Sequence, residues 1–423
     1  MHGVSLILVA AVGAIATPSA ARADGMPAWF RAYVAEYSSR DLEKAHAAIP
    51  PWARRYNKNC SACHYPAAPR LNAEGIRFKW AGYRMPEELG EAVTVEKIQN
   101  YISLRGRMRY DYTKTDGQPA SSSQFQFEDA TLFYGGPFGK NYGAFFELER
   151  AAENSVELVV NLSGAWGKEN GYGGLRIGQF HWLQREGVAG FDRPTGIRTA
   201  IPVGSKLTAS VPFSFSNDQL GVEAYYVVSQ KDRVSAELLN GINSEGKGDE
   251  GDQDRKKDFV FIDQFLLDDA GSGITTVGYY GSIVGLVNTV APNLTSHFWR
   301  VGVTANKIVS NFEVLGAVLY GKDLDLPTGA GAFATSENKG LGYWASSQYM
   351  FPKSSLTVFG RYEYVDPNTD VANDATRRWV LGSVLPVSLP EYLRLALEYA
   401  LDVPQAPGAP KKNAVAAQVM LNF

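Results

Sequence analysis

One short run carries the clearest chemistry in the chain: Cys60-Ser61-Ala62-Cys63-His64. Two thiols three residues apart, followed directly by a histidine, form the C-x-x-C-H pattern of c-type haem attachment. On one helical turn the two thiols reach both vinyl groups of a haem, and the histidine lies under the iron as its proximal ligand. We therefore predict one covalent haem c, held by Cys60, Cys63 and His64.

Other uses of a close cysteine pair fit the sequence less well. The chain has two cysteines in all. A thioredoxin-like redox site needs a βαβ pattern around the pair, and the sequence has no such pattern. A structural zinc site needs four ligands, and no second Cys or His pair follows at short range. A disulfide across two intervening residues would close a very small loop and constrain little.

The distal ligand of the iron is less clearly marked. Met85, in Tyr-Arg-Met-Pro, lies 21 residues after His64 and is placed like the methionine-loop ligand of a small cytochrome c, where it would raise the reduction potential. His46 is the alternative, and bis-His ligation would give a lower potential. An open sixth position is the third possibility. We predict Met85 and keep His46 as its alternative.

The elements that position these residues form two regions. From Met26 to about Gly90 the pattern is helical or irregular, with a second helix predicted from the N-cap Asn72 towards Gly82. A segment of about 60 residues buries little surface and is marginal alone. We therefore expect residues 24–90 to form a monohaem cytochrome segment that plugs a barrel, whose lumen completes the haem pocket.

Residues 1–23 read as a signal peptide. Gly3 to Thr17 is apolar and small, and Ala21-Arg22-Ala23 is a small-x-small cleavage site, so the mature chain would start near Asp24. No later stretch of about 20 apolar residues predicts a membrane-spanning helix. An exported chain without one can still be an integral protein if it forms a closed barrel.

From about Tyr101 the hydrophobic period changes to two. In the first predicted strand, Ile102, Leu104, Gly106, Met108 and Tyr110 alternate with polar residues that include the arginine row, Arg105, Arg107 and Arg109. The chain contains 22 Tyr, 21 Phe and 42 Gly, which suits lipid-facing aromatics and tight turns. It ends on an alternating strand closed by Phe423, which resembles the ending of bacterial outer-membrane barrels.

These patterns predict a mainly β protein, with residues 91–423 forming a transmembrane antiparallel β-barrel. Seventeen candidate strands lie between 101 and 423, and even strand counts reduce this to about sixteen. The weakest candidate is 207–215, which contains Pro212. A net charge of −3 shows no basic excess, so no nucleic-acid partner is predicted.

The connections alternate in length. Long loops at 241–257, 323–338 and 366–375 are predicted to be extracellular, and short turns such as Ser229–Asp232 and Pro352–Ser354 periplasmic. The stretch 185–206 is interpreted as a surface loop, with a constriction folded into the pore as the alternative.

The N-terminal motifs carry a family resemblance. The fused outer-membrane cytochrome–porins, which join a monohaem cytochrome to a barrel, resemble this chain over roughly residues 49 to 86. The barrel resembles them in architecture only. The matching residues are Ile49-Pro50-Pro51-Trp52-Ala53-Arg54-Arg55-Tyr56-Asn57, the C-x-x-C-H run, Pro69-Arg70-Leu71-Asn72, Gly75, Phe78 and Gly82-Tyr83.

The resemblance implies a function in the outer membrane of a Gram-negative bacterium. The best-known members accept electrons from extracellular ferrous iron, so ferrous-iron oxidation and transfer to a periplasmic c-type cytochrome are expected. A haem held in the lumen carries the redox chemistry, and the protein supplies ligation and burial. Electron flow outward to an extracellular acceptor and a soluble β-domain fused to a cytochrome remain alternatives.

A further alternative is a diffusion porin with a haem-bearing plug. The arginine row would then favour anions in the pore. The same row could instead dock the haem propionates or pair with acidic residues of the N-terminal segment, namely Glu74, Glu87 and Glu88.

Overall fold

Sixteen antiparallel strands follow one another around a closed barrel in the described part of the computed structural model. The structure describes residues 51–56, 58, 62–64, 70–95, 97–151, 156–180, 195–243, 256–284, 295–327, 335–352, 354, 356–387 and 393–422. The predicted signal peptide, His46 and Cys60 lie outside these residues.

Each strand pairs with its chain neighbours, and β1 pairs with β16 to close the barrel, with Arg105 opposite Asn422 and Thr115 opposite Lys412. The predicted count of about sixteen is therefore confirmed. The strands are β1 (Ile102–Thr115), β2 (Ser121–Phe138), β3 (Tyr142–Ala151), β4 (Val156–Lys168), β5 (Gly171–Phe180), β6 (Gln219–Val228), β7 (Asp232–Leu239), β8 (Asp258–Leu266), β9 (Gly273–Val284), β10 (Thr295–Val309), β11 (Phe312–Pro327), β12 (Thr335–Met350), β13 (Thr357–Asp366), β14 (Thr376–Pro386), β15 (Leu393–Pro404) and β16 (Lys412–Asn422).

Short helical elements accompany the strands. Helix α2 begins after its predicted N-cap Asn72, whose side chain accepts a hydrogen bond from the Gly75 N–H, and it ends at Trp80. Among the described residues, no helix is both long and apolar enough to cross a membrane. The helices are α1 (Pro51–Tyr56), α2 (Ala73–Trp80) and α3 (Ile201–Gly204), with 3₁₀ turns at Pro86–Glu88 and Ile98–Asn100.

The period-two pattern sorts side chains between the two faces of the barrel. In β1, Leu104 and Met108 are 51% and 55% exposed and face outward, whereas Arg107 is 8% exposed and faces the lumen. Later strands repeat this arrangement: in β10, Val301 is exposed and Arg300 is fully buried. An apolar outer face with a polar interior is the pattern of a transmembrane barrel.

The connections at the two ends of the barrel differ in length. At one end, the short-turn end, Ser229 and Gln230 both take positive φ between β6 and β7, as a tight hairpin requires. The predicted loop at 323–338 is shorter than expected, because β11 runs to Pro327 and β12 begins at Thr335. β1 starts and β16 finishes at the short-turn end.

Residues 207–215 form no strand, as the proline within them indicated. They belong to a stretch that lies inside the barrel, which we call the lumenal insert (residues 195–215). Val203, Leu207 and Phe213 are fully buried, in one apolar cluster with lumen-facing side chains such as Trp344. Burying each such side chain contributes roughly 1.5–3 kcal/mol.

The interpretation of 185–206 as a surface loop is therefore wrong for its described part, 195–206. A connecting segment can be buried only where its polar backbone groups find partners. The barrel wall supplies those partners.

Candidate functional site

The described part of the C-x-x-C-H run is held by Asn72. The Asn72 Nδ2 atom donates to the Ala62 carbonyl at 2.9 Å, and the Asn72 backbone N–H donates to the Cys63 carbonyl at 2.9 Å. The same side chain caps α2 through the Gly75 N–H at 3.1 Å. One residue thus joins the motif to the helix that follows it.

Gly75 explains a second feature of the motif region. A Cβ atom at this position would lie 2.3 Å from the Cys63 carbonyl oxygen. Real Cβ atoms do not approach backbone that closely, so α2 lies against the motif because residue 75 has no side chain.

His64 is oriented by Arg70. Its Nδ1 atom lies 2.8 Å from the Arg70 carbonyl oxygen, which can only accept a hydrogen bond, so Nδ1 carries the proton. In the neutral form of the ring, the lone pair then lies on Nε2. Metal-ligating histidines commonly donate a hydrogen bond from the ring nitrogen that does not bind the metal, often to a backbone carbonyl.

This donor set fits a c-type haem. Cys63 would supply one thioether sulfur and His64 the proximal nitrogen, and a bound haem would supply one-electron redox chemistry. Cys60, the second predicted attachment residue, lies outside the described residues.

The environment of Cys63 also bears on the rival interpretation of a redox dithiol. Burial, with the Glu74 carboxylate adding a smaller effect, raises the pKa of the Cys63 thiol to about 12. Reactive dithiols depend on a lowered thiol pKa, because the thiolate is the nucleophile. A raised pKa therefore gives no support to a thioredoxin-like dithiol at Cys63.

Met85 lies in an aromatic cluster between α1, α2 and the barrel wall. It is buried with Phe78 and Tyr83, and Trp52 and Phe145 pack against them. The Tyr83 ring stacks on the β3 ring of Phe145 with centroids 5.5 Å apart. Packing among these aromatic residues accounts for the burial of Met85, and its role as distal ligand stays a prediction.

The described residues between 51 and 90, which we call the N-terminal segment, contact the lumen face at the short-turn end. Trp80 Nε1 donates to Gln264 of β8 at 3.1 Å, and the Arg77 guanidinium pairs with Asp269 at 2.7 Å. Gly143 of β3 lies against the chain at Gly82, where an added Cβ would come within 1.9 Å of the Gly82 carbonyl oxygen. The contacts therefore come from several sides of the barrel.

A fully buried cation, Arg84, adds an anchor that the sequence did not mark. Its guanidinium donates to the carbonyl of Tyr142 at 2.7 Å and also to that of Lys140, at the β2–β3 turn. Burial lowers its pKa from the ordinary value. Gly82 was the available sequence signal of a tight backbone approach, and in the structure Gly82 and Tyr83 both have positive φ.

The lumenal insert is held through its main chain by three fully buried carboxylates, which lie on alternate strands: Asp323 on β11, Glu363 on β13 and Glu398 on β15. Hydrogen bonds from N–H groups to charged acceptors contribute more than neutral ones. The Ile197 N–H donates to Glu398 at 2.8 Å, the Ile201 N–H donates to Glu363 at 2.7 Å, and the Val211 N–H donates to Asp323 at 3.1 Å.

Arginines complete this attachment. Arg361 pairs with Glu363 and donates to the carbonyls of Thr195 at 2.6 Å and Arg198 at 3.0 Å. Both members of the Arg361–Glu363 pair are fully buried. The insert is thus fixed through both N–H and C=O groups.

The arginine row has carboxylate partners in the barrel wall. Arg105 pairs with Glu149 at 3.0 Å, Arg107 pairs with Asp129, and Arg109 pairs with Asp111. These carboxylates lie on β1, β2 and β3, so the row is neutralised within the wall. In the N-terminal segment, Glu74 instead pairs with Lys58, and Glu88 accepts from Tyr56 at 2.6 Å. For Glu74 and Glu88, these contacts replace the pairing with the arginine row that the sequence left as an alternative.

The two sides of the lumen differ in solvent access. Arg300 on β10 and Glu223 on β6 are fully buried. Arg105, Arg109 and Glu149 on the β1–β3 wall stay partly exposed. A charged, solvent-accessible surface therefore follows this wall.

Comparisons with known proteins bear on the barrel. No protein-family model matches the sequence, and no curated protein matches it. Among solved structures, the anion-selective porin from Comamonas acidovorans is similar with a TM-score of 0.57 at 12% identity, over 76% of this chain and 99% of that one. The outer membrane channel DcaP of Acinetobacter baumannii has a TM-score of 0.52 at 12% identity, over 76% of this chain and 97% of its own. The barrel therefore has the fold of outer-membrane porins.

Proposed function

We propose that this chain is an outer-membrane, porin-like channel whose N-terminal segment is a haem-bearing plug, as in the fused cytochrome–porins. One observation carries the proposal: the segment with Cys63 and His64 is bound to the lumen face of a sixteen-stranded barrel. The short-turn end would face the periplasm, the longer loops the outside, and the apolar outer face the membrane lipid.

Passage of small polar solutes is the activity that the fold supports best. The partly exposed charged side chains of the β1–β3 wall mark the route that we propose. Every arginine of the row has a carboxylate partner in the wall, so the row supplies little net positive field. We therefore expect small conductance with weak ion selectivity.

Planar-bilayer recording of purified protein tests this activity. Discrete conductance steps smaller than those of an open sixteen-stranded porin are expected. Barrel assembly is checked by the heat-dependent shift in gel mobility. Assembled protein that gives no steps at any voltage would exclude diffusion.

Electron transfer across the membrane is the second candidate function, favoured by the position of His64 in the lumen-bound segment. The hydrocarbon core is about 30 Å thick, and a haem within the lumen would divide that distance. Electrons would pass from extracellular ferrous iron to a periplasmic c-type cytochrome, with outward flow as the alternative. An outer-sphere donor such as ferrous iron needs no enclosed substrate site.

Anaerobic mixing of oxidised protein with ferrous iron tests this second function. Appearance of the reduced haem absorption bands is the expected result. Dithionite serves as the control, since it shows that the haem can be reduced. Bands that respond to dithionite and not to ferrous iron would exclude iron as the donor.

A further inference from the structure

A wall residue of the barrel reaches His64 through Arg70. The Arg70 carbonyl oxygen lies 2.8 Å from His64 Nδ1, and the Arg70 guanidinium forms an ion pair with Glu313 of β11. Two contacts through a single residue thus join the predicted iron ligand to the sheet.

Glu313 is itself fixed by the neighbouring strands. Its side chain is fully buried near the short-turn end of β11. Asn306 Nδ2 on β10 donates to its Oε1 atom at 2.7 Å, and the Gln348 amide on β12 donates to its Oε2 atom. The carboxylate therefore has a defined position, set by three strands and not by the N-terminal segment.

We propose that Glu313 is a positioning residue for the haem: it fixes Arg70, and the Arg70 carbonyl fixes the orientation of the His64 ring. This inference rests on the proposed haem-bearing function. A hydrogen bond accepted from Nδ1–H orients a ligating histidine and raises its basicity. The properties of the haem would then depend on assembly of the barrel around it.

The reduction potential should respond in a defined direction. A loosened Arg70 carbonyl accepts a weaker hydrogen bond from Nδ1–H, so the imidazole donates less electron density to the iron. Ferric haem is then less stabilised, and the midpoint potential rises.

A second ion pair of the same kind supplies a matched control. Arg77 pairs with Asp269 at 2.7 Å, which also joins the N-terminal segment to the barrel at the short-turn end. This contact leads into α2 and not to the Arg70 carbonyl. Asp269→Asn therefore removes an anchor of the segment and leaves the support of His64 intact.

The test uses full-length protein in detergent with four variants: Glu313→Gln, Glu313→Asp, Arg70→Ala and Asp269→Asn. The pyridine haemochrome assay first measures covalent haem. Ferric EPR spectra and redox titration then report on the axial ligand. We expect Glu313→Gln and Arg70→Ala to shift the EPR g values and raise the midpoint potential. Asp269→Asn should match the native protein, and Glu313→Asp should recover part of the shift.

The outcomes separate the two proposals. Native protein without covalent haem would defeat the proposed haem-bearing function, and this inference with it. Haem-loaded Glu313→Gln and Arg70→Ala proteins with native g values and potential would overturn the inference alone. An equal shift in Asp269→Asn would also overturn it, since it would mean that any loss of anchoring perturbs the haem. If Glu313→Gln does not assemble, Arg70→Ala decides the question, because it leaves the wall unchanged.

Discussion

Replacing Glu363 by Gln should loosen the lumenal insert. Glu363 pairs with Arg361 where both side chains are fully buried, and it accepts the Ile201 N–H at 2.7 Å. Removing one partner of a buried ion pair costs about 3–5 kcal/mol, because the other charge stays uncompensated. When the insert is released, water can solvate Arg361. The loss of the Glu363 charge therefore destabilises the inserted conformer relative to the released one. At about 1.4 kcal/mol per factor of ten, the ratio of inserted to released conformers should fall roughly 100-fold or more.

Single-channel recording measures this change. Glu363→Gln should show larger or noisier conductance than the native protein. Lys339→Gln is the control, because its partner Asp370 lies 3.5 Å away and the side chains are 37% and 62% exposed. Such exposed pairs contribute about 0–1 kcal/mol. Assembled Glu363→Gln with native conductance would refute the reasoning and mean that apolar packing alone holds the insert.

A cross-link provides an independent check. The hydroxyl oxygens of Thr195 and Ser346 lie 3.3 Å apart, one on the insert and one on β12. Thr195→Cys with Ser346→Cys, added to Glu363→Gln, should keep native conductance when oxidised and show the larger conductance after reduction. Insensitivity to reductant, once the cross-link has been verified by mass spectrometry, would argue against movement of the insert.

Other changes test the haem segment. Gly75→Ala should lower the free energy of unfolding by about 1–3 kcal/mol, as overpacking does, because the added Cβ would meet the Cys63 carbonyl. Gly106→Ala is the control, because the space around its Cβ is open. Both variants are measured by thermal unfolding. Cys60→Ala with Cys63→Ala should abolish covalent haem, and a remaining band on a haem-stained denaturing gel would contradict the motif. Met85→Ala should remove the near-infrared sulfur-to-iron band and lower the midpoint potential if Met85 binds the iron, whereas an unchanged spectrum would point to His46.

The repeated alternation of apolar and polar residues was enough to predict the barrel. Lipid imposes one requirement on every strand, an apolar outer side, and a period of two follows directly from strand geometry. The helix after Asn72 was likewise predictable, because its capping signals are local. Pro212 correctly indicated that 207–215 do not form a strand. A strand between two neighbours needs every backbone N–H for pairing, and proline has none.

The interior was beyond the reach of the sequence. Alternation shows which side chains face the lumen but not what they meet there, because those partners are distant in the chain. Glu398 holds Ile197 across 201 residues, and Arg70 meets Glu313 across 243. The arginine row looked available for a plug or an anion, yet its partners are carboxylates of β1, β2 and β3. Only the closed barrel brings distant pairs such as Ile197 and Glu398 or Arg70 and Glu313 together. Closure of the sheet determines which lumen-facing positions lie at the same height.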